Sequence, residues 1–91
     1  MARFTALVQI FADSSGLDAV EHALSKLDNL EALFEVTGEF DIVALISAAD
    51  SAEFREILKD KIRSIEGVKA TAISVVLKDV RAPMLVPMIE A

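Results

Sequence analysis

The sequence contains no cysteine, tryptophan or tyrosine, and it has a single histidine, His22. Without cysteine the chain forms no disulfide bonds and no thiolate metal sites, which fits a reducing compartment such as the cytoplasm. His22 lies opposite the apolar stripe of the first predicted helix, so we expect it to face solvent, where a lone imidazole is a poor general base. No histidine and carboxylate residues have metal-ligand spacing. We therefore expect no enzyme activity, no catalytic residue, no metal site and no cofactor.

Glycine, proline and positive charge are also scarce. Three isolated glycines give neither a phosphate-binding loop nor a dinucleotide fingerprint. The nine Lys and Arg residues are scattered, and the net charge is −6, so direct binding of nucleic acid by this chain is not expected. No apolar run approaches the ~20 residues of a membrane helix, and the N-terminus has no signal-peptide pattern. These absences favour a cytoplasmic protein that does not contact membranes.

Apolar residues, by contrast, make up 54% of the chain. Their periodicity predicts strands at 3–12, 31–37, 40–48 and 69–80, a helix at 17–28, and a second helix that Asp50-Ser51 begins and Glu66-Gly67 ends. The order β-α-β-β-α-β predicts an α+β, ferredoxin-like fold, with an antiparallel four-stranded sheet and both helices on one face. We expect residues 1–80 to form this module. The tail 81–91 contains two prolines but is apolar, and we expect it to pack on a partner subunit or to add a short fifth strand.

Both faces of the predicted sheet are apolar. The first strand alternates Val8 and Ile10 on one face with Leu7 and Phe11 on the other, and the last strand is expected to place Val75 on the face opposite Val68 and Val76. Two helices can cover only one of these faces, and soluble monomers rarely expose so large an apolar patch. We therefore expect an obligate dimer in which the second faces pack sheet against sheet.

Two of the predicted strands meet at a tight turn. Gly38 takes a positive φ without steric cost, so we expect the chain to reverse at Gly38-Glu39. Backbone N–H groups at the tip of such a turn can hold a carboxylate, and Asp41 offers a negative charge for an ammonium group. A free amino acid carries both groups. The alternative is that Gly38 only makes the hairpin and Asp41 only caps it.

Two motifs give the chain a family resemblance. The first motif, at 36–46, reads V-T-G-E-F-D-I-V-A-L-I and resembles the signature of the Lrp/AsnC effector-binding module, the RAM domain. The second, at 61–77, reads K-I-R-S-I-E-G-V-K-A-T-A-I-S-V-V-L. It resembles the second motif of that module, a helix end followed by G-V-x-x-T and an apolar strand. The resemblance implies a dimeric α+β barrel that assembles further into rings of dimers and binds an amino acid or similar small molecule between dimers. It also implies a stand-alone module without the helix-turn-helix domain that binds DNA in the family.

The resemblance further implies which residues bind the ligand. They belong to the hairpin turn and to the start of the last strand: Thr37, Gly38, Glu39, Phe40, Asp41, Thr71, Ile73 and Ser74. Two positions depart from the family pattern. Ile73 stands where many members have a second threonine, and Ser74 stands where some have an aromatic residue, so the cleft is expected to be wider or unused.

Three functions are compatible with these observations. The first is an amino-acid sensor whose oligomeric state responds to ligand, with a full-length Lrp/AsnC transcription regulator as partner. The second is an assembly module without a ligand. The third is a small enzyme of the dimeric α+β barrel type, which the lack of tyrosine and tryptophan disfavours. The ACT domain shares the element order, but the G-E-F-D and G-V-x-x-T pair favours the RAM domain.

Overall fold

The computed structural model describes residues 3–78 and 80, and within them the elements follow the predicted order. They are β1 (Phe4–Ala12), α1 (Leu17–Ser25), β2 (Leu30–Glu35), β3 (Ile42–Ala48), α2 (Ser51–Glu56) and β4 (Val68–Val75). A 3-10 turn (Ser14–Gly16) leads into α1, and a π-helical segment (Ile57–Ile62) continues α2. No helix in this described part is both long and apolar enough to cross a membrane. The tail 81–91, with the fifth strand predicted there, lies outside the described residues.

The four strands form one antiparallel sheet in the order β2-β3-β1-β4. β1 lies in the interior of the sheet because it pairs with β3 on one side and with β4 on the other. β2 and β4 are therefore the two edge strands. This order, with both helices packed against one face, confirms the predicted ferredoxin-like fold.

The core lies between the helices and one face of the sheet. Ala6, Val8 and Ile10 of β1 have no solvent exposure, because alternate residues of a strand point to the same face. Full burial of an Ile or Val side chain contributes roughly 1.5–3 kcal/mol. The same cluster contains residues of β3 and both helices: Ile42, Ala44, Ile46, Ala48, Val20, Leu24, Phe54, Ile57 and Ile62. At one end the rings of Phe4 and Phe54 lie 5.2 Å apart.

The second helix begins where the sequence predicts. Asp50 is its N-cap, and its Oδ1 accepts a hydrogen bond of 2.8 Å from the Glu53 N–H. Glu53 reaches back, and its Oε1 accepts from the Ala49 N–H at 2.6 Å. These reciprocal bonds resemble a capping box and satisfy backbone donors that have no partner inside the helix. After the π-helical segment the chain turns at Gly67, which has a φ of +104°.

The last strand differs from its prediction in its length and in the face of the sheet on which Val68 lies. It ends at Val75 rather than at residue 80, and one further bond to β1 follows, from the Val76 N–H to Thr5 O at 2.8 Å. A β-bulge at the β1–β4 pairing places Val68 opposite Ala12, while Phe11 pairs with Ala70. The bulge turns Val68 toward the core, so its predicted placement on the opposite face was wrong.

Candidate functional site

The turn between β2 and β3 reverses at the predicted place. The Val36 N–H donates to Asp41 O at 2.9 Å, and Gly38 has a φ of +143°. Thr37, Gly38 and Glu39 are exposed at the tip. A positive φ of this size is ordinary for glycine and strained for other residues.

Asp41 ties this turn to the end of β1. Its Oδ2 accepts a hydrogen bond from the Ala12 N–H at 3.0 Å, and its own N–H donates to Ile10 O at 3.0 Å. A carboxylate that accepts a backbone N–H bond is a stronger partner than a neutral acceptor. One carboxylate oxygen of Asp41 therefore has a structural role, and the side chain is half-buried.

The turn forms one wall of a groove on the sheet face that the helices leave open. The groove has a volume of about 400 Å³ and is lined by Phe11, Glu39, Phe40 and Ala70; we call it the hairpin groove. The rings of Phe11 and Phe40 meet edge to face, with centroids 6.3 Å apart. Phe11 remains 45% exposed. Two aromatic rings and a methyl group can hold an apolar side chain, and Glu39 adds a carboxylate beside them.

The predicted site residues of β4 lie on different faces of the sheet. Thr71 pairs with Ile10, and Ile73 pairs with Val8, so both are on the helix face, where Ile73 packs against the core. Ser74 pairs with Leu7 on the opposite face and is exposed. The structure therefore brings Glu39 and Phe40 together with Ala70, and it places Thr71 and Ile73 on the other side of β4.

Thr71 lines a second groove, on the helix side of the same edge strand. This groove has a volume of about 460 Å³ and is lined by Arg63, Val68, Lys69, Ala70 and Thr71; we call it the basic groove. The two grooves share one wall, Ala70. The hairpin groove is lined by aromatic rings and a carboxylate, whereas the basic groove is lined by cationic side chains. The two grooves therefore suit different ligands.

One carboxyl group, that of Glu21, has a perturbed protonation equilibrium. A hydrogen bond between the side chains of Glu21 and Glu35 raises the pKa of Glu21 to about 6, with smaller contributions from burial and from the negative charges of Glu35 and Asp18. The Glu21 Oε2 atom is buried, and among the described residues no N–H or hydroxyl group donates to it. Because Glu35 ends β2 directly before the hairpin turn, this pair connects α1 to the turn.

His22 is exposed on α1, as predicted. Within residues 3–78 and 80, no three His, Cys, Asp or Glu side chains gather closely enough to hold a metal ion.

Five residues that line the grooves were not among the predicted site residues: Phe11, Arg63, Val68, Lys69 and Ala70. Phe11 was recognisable as an apolar residue on the open sheet face. That Phe11 meets Phe40 depends on the pairing of β1 with β3, which brings the end of β1 beside the turn. Arg63 and Lys69 gave no signal, because isolated basic residues are common on exposed surfaces.

Comparison with known proteins supports the fold and the family. The model of the Lrp/AsnC ligand binding domain matches residues 5–86. A crystal structure of a Thermus thermophilus protein superposes with a TM-score of 0.79 at 29% identity, covering 84% of this chain and 95% of that chain. The feast or famine regulatory protein of M. tuberculosis, solved in complex with L-methionine, superposes with a TM-score of 0.75 at 25% identity and covers 88% of this chain and 54% of that protein.

An enzyme also contains a similar segment. Homocitrate synthase of Saccharolobus islandicus is 34% identical over 74 residues, which is 80% of this chain and 16% of the enzyme. This chain thus spans about one sixth of the length of that relative. The model of the Lrp/AsnC ligand binding domain, in contrast, covers nearly the whole chain. The chain therefore belongs to the Lrp/AsnC ligand-binding domain family.

Proposed function

We propose that this module senses a free amino acid, which binds in the hairpin groove and changes the association of copies of the chain. The observation that carries the proposal is the composition of the groove, in which Phe11, Phe40 and Ala70 surround a space beside the Glu39 carboxylate. The complex of the M. tuberculosis regulator with L-methionine supports an amino acid as the ligand.

Each part of an amino acid has a counterpart at this site. An apolar side chain packs between the two aromatic rings, where burial of a Met- or Leu-sized group contributes roughly 1.5–3 kcal/mol. The ammonium group pairs with Glu39 or with the second oxygen of Asp41. The carboxylate binds backbone N–H groups at the tip of the turn around Gly38, in the manner of anion-binding turns.

Association through the open sheet face is the second part of the proposal. Outside the hairpin groove, this face carries Leu7, Phe34, Val43 and Leu45, whose positions follow from the pairing of β1, β2 and β3. Phe34 is 54% exposed in the single chain. We propose that two copies pack these faces together, that the tail 81–91 lies on the partner, and that ligand sits between dimers in a larger ring.

Thermal unfolding with each of the twenty amino acids tests the ligand. A ligand present at a hundred times its Kd stabilises the folded state by about 2.7 kcal/mol, which a small domain shows as a clear increase in Tm. Glu39→Gln should reduce this increase, whereas Glu31→Gln, an equal change at another exposed position, should leave it intact. No response to any amino acid at millimolar concentration would remove the sensor function.

The solution mass tests the association. We expect a dimer or a ring whose size changes when amino acids are added. Phe34→Lys should shift the assembly toward monomers, because it places a charge in the apolar face. Ala52→Lys, at an exposed position of α2, should not. A wild-type monomer would contradict the sheet-to-sheet dimer.

Two further possibilities concern the partner. If the solution mass does not change when amino acids are added, the module serves only for assembly, and its cleft has no ligand. The partner could be a transcription regulator or an enzyme. The similarity to a segment of homocitrate synthase supports an enzyme as the second candidate. The module itself supplies no catalytic group in this proposal, and we place it in the cytoplasm because it has no cysteine.

A further inference from the structure

The basic groove is an exception to the charge of the chain. The protein carries a net charge of −6, yet this groove of about 460 Å³ is lined by Arg63 and Lys69 together with Thr71. No acidic side chain is among the described residues that line it. An anion near this groove therefore meets two positive charges in a protein that otherwise repels it.

Each of the two cations lies at a local irregularity of the backbone. The helix that begins as α2 widens into the π-helical segment, and the Arg63 N–H bonds to Leu58 O, five residues back, at 2.8 Å. Lys69 is the extra residue of the β-bulge, since Val68 and Ala70 pair with Ala12 and Phe11 while Lys69 pairs with neither. π-Helical turns and β-bulges are both frequent at functional sites, because each redirects a side chain at a cost in regular hydrogen bonding.

The side chains in the groove have complementary binding chemistry. The Arg63 guanidinium presents paired N–H donors that match two oxygens of one anion. The Lys69 ammonium adds a point charge, and the half-buried Thr71 adds a hydroxyl donor. We propose that the basic groove binds the phosphate group of a small phosphorylated molecule. The volume exceeds that of a phosphate ion and leaves room for an organic part.

This site is independent of the amino-acid site. The hairpin groove lies on the open face of the sheet, whereas Thr71 is on the helix face, and the two sites share only the wall at Ala70. Binding of phosphate can therefore succeed or fail whatever happens with amino acids.

A titration with inorganic phosphate at constant ionic strength, followed by the amide resonances of the full chain, tests the proposal. We expect saturable shifts at Arg63, Lys69 and Thr71. Arg63→Gln and Lys69→Met should each weaken binding about tenfold or more, because each removes a charge-assisted hydrogen bond. Lys61→Met is the matched control: it removes one charge from an exposed residue of the preceding helical turn, outside the groove, and should leave the affinity unchanged.

A further variant and two further ligands show which chemical group the groove recognises. Arg63→Lys keeps the charge but loses the paired donors, so its affinity should fall between those of the wild type and Arg63→Gln. Glycerol 3-phosphate should bind at least as tightly as phosphate, and succinate more weakly. Equal weakening in all three charge-removing variants would mean nonspecific attraction, and the absence of saturation, or tighter binding of succinate, would equally overturn the proposal.

Discussion

Asp41 and Ala12 lie 29 residues apart in the chain, yet the Asp41 Oδ2 accepts the Ala12 N–H at 3.0 Å. This bond joins the hairpin turn to the end of β1, next to Phe11 of the hairpin groove. We predict that Asp41→Ala destabilises the fold by about 1–2 kcal/mol, since it leaves a part-buried backbone donor without its charged acceptor. Urea unfolding at a fixed protein concentration measures the loss.

Asp41→Asn separates this structural role from a role in ligand binding. The amide oxygen can still accept the Ala12 N–H, so the stability should fall by less than in the alanine variant, by about 0.5 kcal/mol. If Asp41 also pairs with an ammonium group, the asparagine variant should still lose the response to amino acids. Identical stability of the alanine variant and the wild type would contradict the structural role.

Gly67 cannot accept a side chain. Its φ is +104°, and an added Cβ would lie 2.9 Å from Cγ2 of Val20, which is fully buried. We predict that Gly67→Ala costs about 2–3 kcal/mol, from backbone strain and from displacement of Val20. Gly16→Ala is the control, because its Cβ would meet nothing within 4 Å. It should be neutral or stabilising by up to ~1 kcal/mol, and similar losses of Tm in both variants would refute this explanation.

Features that depend on neighbouring residues could be predicted from the sequence, whereas features that depend on long-range packing could not. The turn at Gly38 and the N-cap at Asp50 were predictable, because each depends on residues within a few positions. The alternation in β1 showed two apolar faces, but it did not indicate which of them the helices cover. The bulge at Lys69 and the π-helical segment depend on how β4 and the second helix pack against β1, and no local pattern encodes them. For this reason the side of β4 on which Thr71 lies could not be inferred from sequence.

The carboxylate pair of Glu21 and Glu35 should make stability depend on pH. The pKa of Glu21 is raised from 4.5 to about 6, so between these values the folded state holds more protons than the unfolded chain, and the free energy of unfolding falls as pH rises. Glu21→Gln has no charge to lose. Above pH ~6 it should be more stable than the wild type by about 0.5 kcal/mol, and the difference should vanish toward pH ~4.5.

Denaturant unfolding from pH 4 to pH 8, in steps of about half a unit, measures this dependence. Glu56→Gln, an equal change at an exposed residue of α2, is the control and should follow the wild type across the range. Since Glu35 lies directly before the hairpin turn, the amino-acid response of Glu21→Gln is worth measuring in the same series. Parallel curves for the wild type and Glu21→Gln would show that the two carboxylates do not share a proton.

Ile73 tests on which face of β4 the ligand binds. Its side chain packs against the core opposite Val8, so Ile73→Thr should cost about 1–2 kcal/mol through lost packing and a poorly placed hydroxyl. The increase in Tm caused by an amino acid should stay the same, because the hairpin groove lies on the other face. Ala70→Leu should do the reverse: Ala70 is exposed and lines the hairpin groove, so a larger side chain fills the groove and abolishes the response without unfolding the domain. A new or stronger response in Ile73→Thr would instead place the ligand on the helix face, beside Thr71.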